Sequence, residues 1–283
     1  MMRLGLFHST IRAEEKLLIS SAKELGVEVK LYDIRKINLD PESFVVDFDV
    51  ALERSVSTTK GRHLVRFLEG LDVPVLNSSS VATICEDKFL TAMVLHKANL
   101  RQPKFAMVFD EQHAKEVIND WGGYPVVTKP TIGSWGRLIS KINDDDALEA
   151  IIDHKMVLGS PEQKAFFIQE FIEKPGRDIR AFVVGGKVIA AIYRDSTHWI
   201  TNTARGGQAS NCPLTDELQE ICQRSSEAVG GGILAMDLFE SPQGLMINEI
   251  NHTMEFRNSE KPTGVSISSE IINYCIESQN VKN

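Results

Sequence analysis

The sequence predicts a mixed α/β protein, in the stricter sense α+β, built from two or three subdomains. Its first third alternates short apolar strands with helical patterns, starting with a strand at Leu4–Phe7 and a helix that ends at Gly26. This alternation is typical of a small parallel α/β domain. Later strands pair around turns, as at 237–251. At 283 residues the chain is too long for one small core, so further subdomains are expected.

The composition is that of an ordinary soluble globular protein, with 42% apolar and 25% charged residues. The formal net charge of −8 argues against a general nucleic-acid or anionic-membrane surface. No segment approaches the roughly 18 consecutive apolar residues of a membrane span. The four cysteines are scattered without a C-x-x-C pair, which favours reduced thiols. We therefore expect a cytoplasmic protein without nucleic-acid or membrane partners.

The N-terminal domain is predicted to contain three further strands. They lie at Val27–Tyr32, Val45–Leu52 and Val73–Leu76, with a helix at Gly61–Leu71 before the last. Neither G-x-G-x-x-G nor G-x-x-x-x-G-K-[ST] occurs in the chain. The ordinary dinucleotide and P-loop interpretations therefore lack their phosphate-binding turn.

Two lysines are candidate anion ligands. Lys88 opens a helix predicted from Asp87 to Ala98, where the macrodipole favours acidic residues instead. Lys129 ends a strand that leads into a loop, Thr131–Arg137, with two glycines, a hydroxyl and a basic residue. Glycines let backbone N–H groups approach an anion, so strand and loop together resemble a phosphate cover. The alternatives are a solvated surface lysine and an ordinary glycine-rich hairpin.

The apolar strand predicted at Ala165–Ile172 is interrupted by Gln169 and Glu170. Burying such groups without partners costs roughly 1–3 kcal/mol each. An adenine and its ribose would supply partners, with the backbone of Glu170–Ile172 reading the base. The alternative is that this strand lies at a sheet edge.

Arg180 and Arg194 lie on successive strands, predicted at Ile179–Val184 and Val188–Tyr193. Two arginines facing one site are fork-shaped binders of carboxylates or phosphates. Singly, each is more often a surface ion pair. The aperiodic stretch Trp199–Ala209 is interpreted as a site loop.

The hairpin predicted at Asp237–Asn251 carries the candidate metal site. Side chains alternate along a strand, so Glu249 and Asn251 share a face that Asp237 reaches from the partner strand. Two carboxylates and an amide oxygen are the hard ligands that Mg²⁺ takes beside nucleotide phosphates. The alternative is a solvated strand face.

In this order and spacing, these elements resemble the ATP-grasp superfamily of carboxylate–amine ligases. The closer match is to RimK-type ligases, especially the LysX/ArgX group. It is carried by Lys129–Arg137, Lys174–Arg180, Trp199–Gln208 and Asn248–Phe256. The resemblance implies an ATP-grasp fold with ATP between the second and third of three subdomains. Their expected bounds are an N-terminal pre-ATP-grasp domain at 1–88, a central domain at 89–179 and a C-terminal domain at 180–283.

The resemblance also implies a role for each matching residue. Arg194 and Asn202 are the expected catalytic residues, and Asp237, Glu249 and Asn251 are the expected Mg²⁺ ligands. ATP is expected at Lys88, Lys129, Gly133, Ser134, Trp135, Gly136, Arg137, Gln169, Glu170, Phe171, Ile172, Arg177 and Asp178. The substrates are expected at Arg180, Thr203, Ala204, Arg205, Gly206, Glu255, Phe256, Arg257, Asn258 and Ser259.

Enzymes of this group use ATP to join an amino acid to the C-terminal glutamate of the small acidic carrier protein LysW. LysX takes α-aminoadipate for lysine biosynthesis, whereas ArgX takes glutamate for arginine biosynthesis. The pair Asn258–Ser259 is similar to the LysX pattern and favours α-aminoadipate. The alternatives are an ArgX-type ligase, a RimK-like glutamate ligase acting on another protein, a ligase for free small molecules, and a nucleotide-binding regulator without activity.

Two further expectations concern partners. Ligases of this kind often form dimers or tetramers, so a homo-oligomer is expected. An acidic carrier also requires basic residues near the site, because the enzyme itself is acidic. The candidates for this steering role are Arg177, Arg180, Arg194 and Arg205.

Overall fold

The computed structural model describes residues 1–133, 137–201 and 208–279. Its strands form three sheets, and the predicted mixed α/β class is confirmed. No helix within the described ranges is long and apolar enough to cross a membrane.

The N-terminal sheet is parallel, with strand order β2-β1-β3-β4. Val45 and Val46, predicted to start its third strand, are instead exposed, and that strand begins at Val50. The elements of this region are β1 (Arg3–His8), α1 (Ala13–Glu24), β2 (Glu28–Asp33), β3 (Val50–Glu53), α2 (Thr58–Gly70), β4 (Val75–Leu76) and α3 (Ser79–Glu86).

The central sheet is antiparallel, with strand order β5-β8-β6-β7. Strand β8 lies between two neighbours, so the interpretation of Gln169 and Glu170 as edge-strand residues is wrong. The elements are α4 (Lys88–Lys97), β5 (Phe105–Val108), α5 (Glu111–Asp120), β6 (Val126–Lys129), β7 (Ser140–Ile142), α6 (Asp145–Leu158), a 3₁₀ turn (Pro161–Lys164) and β8 (Phe166–Glu170).

The C-terminal sheet is also antiparallel, with strand order β11-β10-β9-β12-β13. The expected hairpin forms its β12–β13 edge. The elements are β9 (Arg177–Val184), β10 (Lys187–Asp195), β11 (Gln208–Asn211), α7 (Asp216–Val229), β12 (Ile233–Ser241), β13 (Gly244–Asn251), α8 (Glu260–Thr263) and α9 (Ile267–Gln279). The division at residues 88 and 179 stays a prediction.

Short polar side chains fix the starts of several helices. Asp87 accepts hydrogen bonds from the backbone N–H groups of Phe89 and Leu90, which caps α4. Ser57 and Ser78 cap α2 and α3 in the same way. Each cap satisfies donors that have no partner within the helix. The cap of α4 thereby fixes the position of Lys88, the first residue of that helix.

The first and third sheets share one hydrophobic core. Leu4 and Leu6 of β1 pack in one cluster with Phe182 of β9, Ala235 of β12 and Phe256. The central sheet has a separate core, built from Val108, Ile118, Val126, Phe166, Ile168 and their neighbours. Apolar burial therefore joins the N-terminal sheet to the C-terminal sheet directly. The central sheet packs instead on α4, through rings such as Phe89 and Phe167, and α4 packs on the C-terminal sheet through Leu95.

Asn77 is a buried polar tie between these two sheets. Its Nδ2 donates to the carbonyl oxygens of Ile233 (2.8 Å) and His252 (2.6 Å). Its Oδ1 accepts from the backbone N–H of Ile233 at 2.7 Å. A Cβ at Gly232 would lie 2.2 Å from Oδ1, and the φ of Gly232 is +102°, so this close approach requires glycine. The tie holds the start of β12 and the end of β13 against the N-terminal domain.

We expect Asn77→Ala to lower the free energy of unfolding by about 1–3 kcal/mol, because buried backbone groups lose their partners. Chemical denaturation followed by circular dichroism measures this change. The control is Asn38→Ala, which truncates an exposed asparagine. Equal stability of the two variants would contradict the assigned tie.

Candidate active site

The register of the C-terminal sheet brings three charged residues into one row and places a fourth, Arg194, two positions away. Asp237 of β12 lies opposite Glu249 of β13 on one side and opposite Arg180 of β9 on the other. Arg194 of β10 lies opposite Asp178 of β9, two positions from Arg180. The row faces a cavity of about 210 Å³ lined by Arg180, Arg194, Asp237, Glu249 and Asn251. The structure therefore does not show the alternative interpretation of the hairpin, a strand face that is simply solvated.

Asp237 is held by two guanidinium groups. Arg180 donates to its two oxygens at 2.8 and 2.9 Å, and Arg194 Nη2 lies 3.2 Å from Oδ2. Arg194 also donates to both oxygens of Asp178, at 2.6 and 2.8 Å. Because Arg194 is only 2% exposed, its interpretation as a surface ion pair is wrong.

The electrostatics of this network fix its charge state. Burial by itself raises the pKa of Asp237, but Arg180 and Arg194 outweigh that effect and lower the pKa to about 2. Burial likewise opposes the charge of Arg194, yet Asp237 and Asp178 raise the pKa of its guanidinium. Asp237 and Arg194 therefore remain ionised throughout the physiological pH range.

Lys88 connects the hairpin to the glycine-containing loop. Its Nζ donates to the carbonyl oxygen of Gly133 at 2.7 Å and lies 3.2 Å from Glu249 Oε1. Its backbone N–H donates to the carbonyl of Thr131, and Asp87 forms a bridge with Ile132. The first turn of α4 thus contacts the hairpin and the loop at once.

Lys129 connects the central sheet to the C-terminal sheet. Its Nζ donates to Gln169 Oε1 at 2.6 Å and to Asn248 Oδ1 at 2.7 Å. Burial lowers the pKa of this lysine to about 8, and the nearby Lys88 and Lys174 lower it as well, while Glu249 opposes them. Gln169 finds its partner in Lys129, and the carboxylate of Glu170 accepts from the backbone N–H of Lys104.

The linker 171–176 joins the two antiparallel sheets. Phe171 and Ile172 are both half-buried, and Lys141 Nζ lies 3.9 Å from the centre of the Phe171 ring. Beyond the linker, Arg177 donates to both oxygens of Glu240, at 2.7 and 2.9 Å, and its guanidinium lies 3.9 Å from the Tyr193 ring centre. Asp178 is buried, where it accepts from Arg194 and from the Thr201 hydroxyl.

The segment after β13 lines a smaller pocket of about 30 Å³. This pocket is bounded by Arg180, Ile192, Arg194, Glu255, Arg257, Asn258 and Ser259. It shares Arg180, Arg194 and Glu255 with the larger cavity. The ring of Phe256, in contrast, is fully buried in the shared core and lines neither pocket.

The N-terminal domain contributes a wall of the cavity that sequence reasoning missed. Arg12 Nη1 lies 3.6 Å from Glu255 Oε1, and Glu14 Oε1 accepts weakly from the backbone N–H of Arg257 at 3.4 Å. Other N-terminal residues of this wall are Glu53, Ser55, Thr58, Arg62, Asn77 and Glu86, and His252, which follows β13, lines the same cavity. Several of these residues follow β1 and β3. Open parallel sheets bind ligands at the carboxyl ends of their strands, and this rule could have predicted the wall from the sequence.

Burial shapes the ionisation of this wall. It raises the pKa of Glu53 and of Glu86, although hydrogen bonds from Ser55 and from Arg62, respectively, oppose the shift. It lowers the pKa of His252 to about 4, so this imidazole is neutral at pH 7.

Some expected site residues cannot be placed. Ser134, Trp135 and Gly136, together with Asn202, Thr203, Ala204, Arg205 and Gly206, lie outside the described residues. The flanking Gly133 lines the cavity, and Arg137 is exposed. Within the described ranges no group of three or more His, Cys, Asp or Glu side chains is arranged to hold a metal. The candidate Mg²⁺ ligands Asp237, Glu249 and Asn251 are not such a group, because they combine two carboxylates with an amide.

Two family models together span most of the chain. The RimK-like ATP-grasp domain matches residues 85–275, and the LysX preATP-grasp domain matches residues 4–84. The chain therefore belongs to the RimK-like ATP-grasp family and is an ATP-dependent ligase that forms a C–N bond. The predicted family, fold and enzyme class are confirmed.

Individual relatives are similar over nearly the whole chain. The α-aminoadipate–LysW ligase LysX of Sulfurisphaera tokodaii is 34% identical, over 96% of this chain and 97% of the relative. The glutamate–LysW ligase ArgX of the same organism is 32% identical, over 98% and 99%. A RimK domain ATP-grasp protein from Sphaerobacter thermophilus superposes with a TM-score of 0.77 at 25% identity, over 97% and 99%.

Proposed function

We propose that this ligase joins the α-amino group of α-aminoadipate to the γ-carboxyl of the C-terminal glutamate of a LysW-type carrier protein, in cytoplasmic lysine biosynthesis. One observation carries the proposal: the cavity beside Lys88, Glu249 and Asn251 shares Arg180 and Arg194 with the pocket under Asn258 and Ser259. Groups suited to phosphates thus lie next to groups suited to an amino acid. A homo-oligomeric assembly stays a prediction.

On the nucleotide side, Lys88 and Lys129 supply positive charge. In the structure Lys88 contacts Glu249 and the Gly133 carbonyl, and Lys129 contacts Gln169 and Asn248. Phosphate oxygens would replace or rearrange these contacts. The base would lie against the backbone of Glu170–Ile172, and the loop 133–137 would cover the phosphates. Arg177 and Asp178 would support this site from β9.

The candidate metal ligands fit Mg²⁺ by their chemistry. Glu249 is half-exposed with one ion-pair partner, and Asn251 has a buried Nδ2 without a hydrogen-bond partner. An amide turned by 180° would present its oxygen there instead. Asp237 already accepts from Arg180 and Arg194, yet each carboxylate oxygen has a second lone pair. When bound, Mg²⁺ would neutralise the phosphates and polarise the transferred group.

The proposed reaction has two steps. A carboxylate oxygen of the carrier's terminal glutamate attacks the γ-phosphorus of ATP, which gives an acyl phosphate and ADP. The amine of α-aminoadipate then attacks the acyl carbon, phosphate leaves, and the amine loses a proton. Arg194, with Asn202, would stabilise negative charge on the phosphate and on the tetrahedral oxygen. Holding both reactants in one closed cavity supplies much of the acceleration.

The amino acid is proposed to bind in the smaller pocket. Arg180 and Arg257 offer charge for its carboxylates, and Thr203–Gly206 would complete the enclosure. α-Aminoadipate is one methylene longer than glutamate, so the depth of the pocket under Asn258 and Ser259 would decide between them. A glutamate ligase of ArgX type is the second candidate, because an ArgX relative is 32% identical over 98% of the chain.

The nucleotide role of Lys129 predicts a pH dependence. Its depressed pKa of about 8 means that the ammonium form is lost as the pH rises through 8. If only that form binds phosphates, the Kd for ATP should rise roughly fivefold between pH 8 and 9. Calorimetric titration from pH 7.5 to 9 measures this. Lys129→Arg, which stays charged, should give a flat profile; a wild-type profile that is equally flat would contradict the role.

The metal role of Glu249 predicts a large loss of activity with an intact fold. Glu249→Gln should lower kcat by roughly 10²-fold or more and raise the Mg²⁺ concentration needed for half-maximal ADP release. Its circular dichroism spectrum should match that of the wild type. The control is Glu277→Gln, which changes an exposed carboxylate on α9. Wild-type turnover in Glu249→Gln would remove the metal assignment.

The choice of amino acid is tested by competition. The wild type, given LysW, ATP, Mg²⁺ and equal α-aminoadipate and glutamate, should form mainly the α-aminoadipate product, as weighed by mass spectrometry. Replacing Asn258 by Gly and Ser259 by Phe should shift the product ratio toward glutamate by roughly tenfold or more, because a bulky ring shortens the pocket by about one methylene.

Each outcome of this competition has a meaning. A wild type that prefers glutamate would favour the ArgX-type candidate. A wild type that ligates neither amino acid to LysW would contradict the proposal as a whole. An unchanged ratio in the double variant would refute the role of residues 258 and 259.

A further inference from the structure

Three of the four arginines expected to attract an acidic carrier are already neutralised. Arg177 is paired with Glu240, Arg180 with Asp237, and Arg194 with Asp178 and Asp237. Arg205 lies outside the described residues. Charges tied this closely to carboxylates contribute little field beyond the cavity, so attraction of an acidic partner requires another source.

The lining of the cavity is itself balanced in charge. Its described acidic and basic side chains are five each: Glu53, Glu86, Asp237, Glu249 and Glu255 against Arg12, Arg62, Lys88, Arg180 and Arg194. The cavity wall therefore gives no net attraction for an acidic chain at long range.

Helix α2 is a basic element that adjoins this cavity. Thr58, Gly61, Arg62 and Val65 line the cavity from one side of the helix. Arg62 is paired with Glu86, its Nε lying 2.9 Å from Oε2. The outward face carries Lys60, His63 and Arg66, all of them exposed. The same helix thus forms part of the cavity wall and presents basic groups to solvent.

The positive charges of the outward face are only partly offset, since the charge of Arg66 acts on Glu86 and Glu69 lies about one turn further along α2. Within residues 1–133, 137–201 and 208–279, neither Lys60 nor Arg66 forms an ion pair. The first turn of α2 contains no acidic residue and does contain Lys60, so the positive end of the helix macrodipole is reinforced rather than offset. In a chain of net charge −8, this face is an exception that borders the reaction site.

We infer that the outward face of α2, formed by Lys60, His63 and Arg66, is the docking surface for the acidic carrier protein. This inference rests on the proposed function, which supplies the acidic partner. The carrier body would lie along α2, and its C-terminal glutamate would pass Thr58 and Arg62 into the cavity. Charge complementarity of this kind raises the association rate and weakens with salt.

The test is direct binding rather than turnover. The probe is a fluorescein-labelled acidic peptide that ends in glutamate, and fluorescence anisotropy with full-length enzyme reports its Kd. The double variant Lys60→Glu/Arg66→Glu should raise the Kd about tenfold at low salt and flatten its dependence on salt. Both side chains are exposed on the helix surface, so the fold should persist, and circular dichroism checks this.

The matched control makes the same charge change elsewhere. Lys164→Glu/Lys187→Glu alters two exposed lysines that line neither pocket, and it should change the Kd by less than about twofold. Three results would overturn the inference: no binding of the peptide by the wild type, equal weakening by both double variants, or binding of an equally charged single-stranded DNA as tight as that of the peptide. Failure of the proposed function is a separate result, read from the LysW ligation.

Discussion

The pairing of Asp237 with two arginines is the interaction on which the candidate site depends. Arg180 and Arg194 come from neighbouring strands and converge on one buried carboxylate. Removing one member of such a group would leave a buried charge without its partner, which is far more costly than losing a surface ion pair. The network therefore fixes the side chains that border both the larger cavity and the smaller pocket.

The contacts between layers are of two kinds. The N-terminal and C-terminal sheets share an apolar core and the Asn77 tie. The central sheet has its own core and packs on α4 through Phe89, while Lys129 and Lys88 add polar contacts with the C-terminal sheet. Apolar contacts persist whether or not a nucleotide is present, whereas lysine contacts can be exchanged for phosphate oxygens. The fold thus places its exchangeable contacts where the proposed nucleotide binds.

Segment 252–259 links the proposed phosphate site to the proposed amino-acid site. It leaves the hairpin directly after Asn251, passes Glu255 beside Arg12, and buries Phe256 in the core shared by two sheets. Phe256 was expected at the substrate, but its ring anchors the segment instead. The residues on either side of this anchor, Glu255 and Arg257 to Ser259, are the ones that line the smaller pocket.

Local sequence was sufficient to predict the fold class and the hairpin, and it singled out Lys88 and Lys129, which contact that hairpin; their nucleotide role stays a prediction. Alternating apolar residues specify strands, turn residues separate them, and the order of weak motifs indicated the ATP-grasp family that the comparisons confirm. Even the polar pair inside β8 signalled a need for partners, because a buried side chain must find one.

Only the tertiary structure decided which charges meet. Strand register, which depends on long-range pairing, put Arg180 opposite Asp237 and so showed that this arginine, expected to attract a carrier, is neutralised. The same packing brought the carboxyl ends of β1 and β3 and one side of α2 to the cavity. No pattern local to α2 distinguishes its basic residues from those of any solvated helix. A role in binding is inferred only from their position beside the site. The sequence by itself determined which elements form, because that depends on neighbouring residues, whereas the partners of each charge depend on residues far apart in the chain.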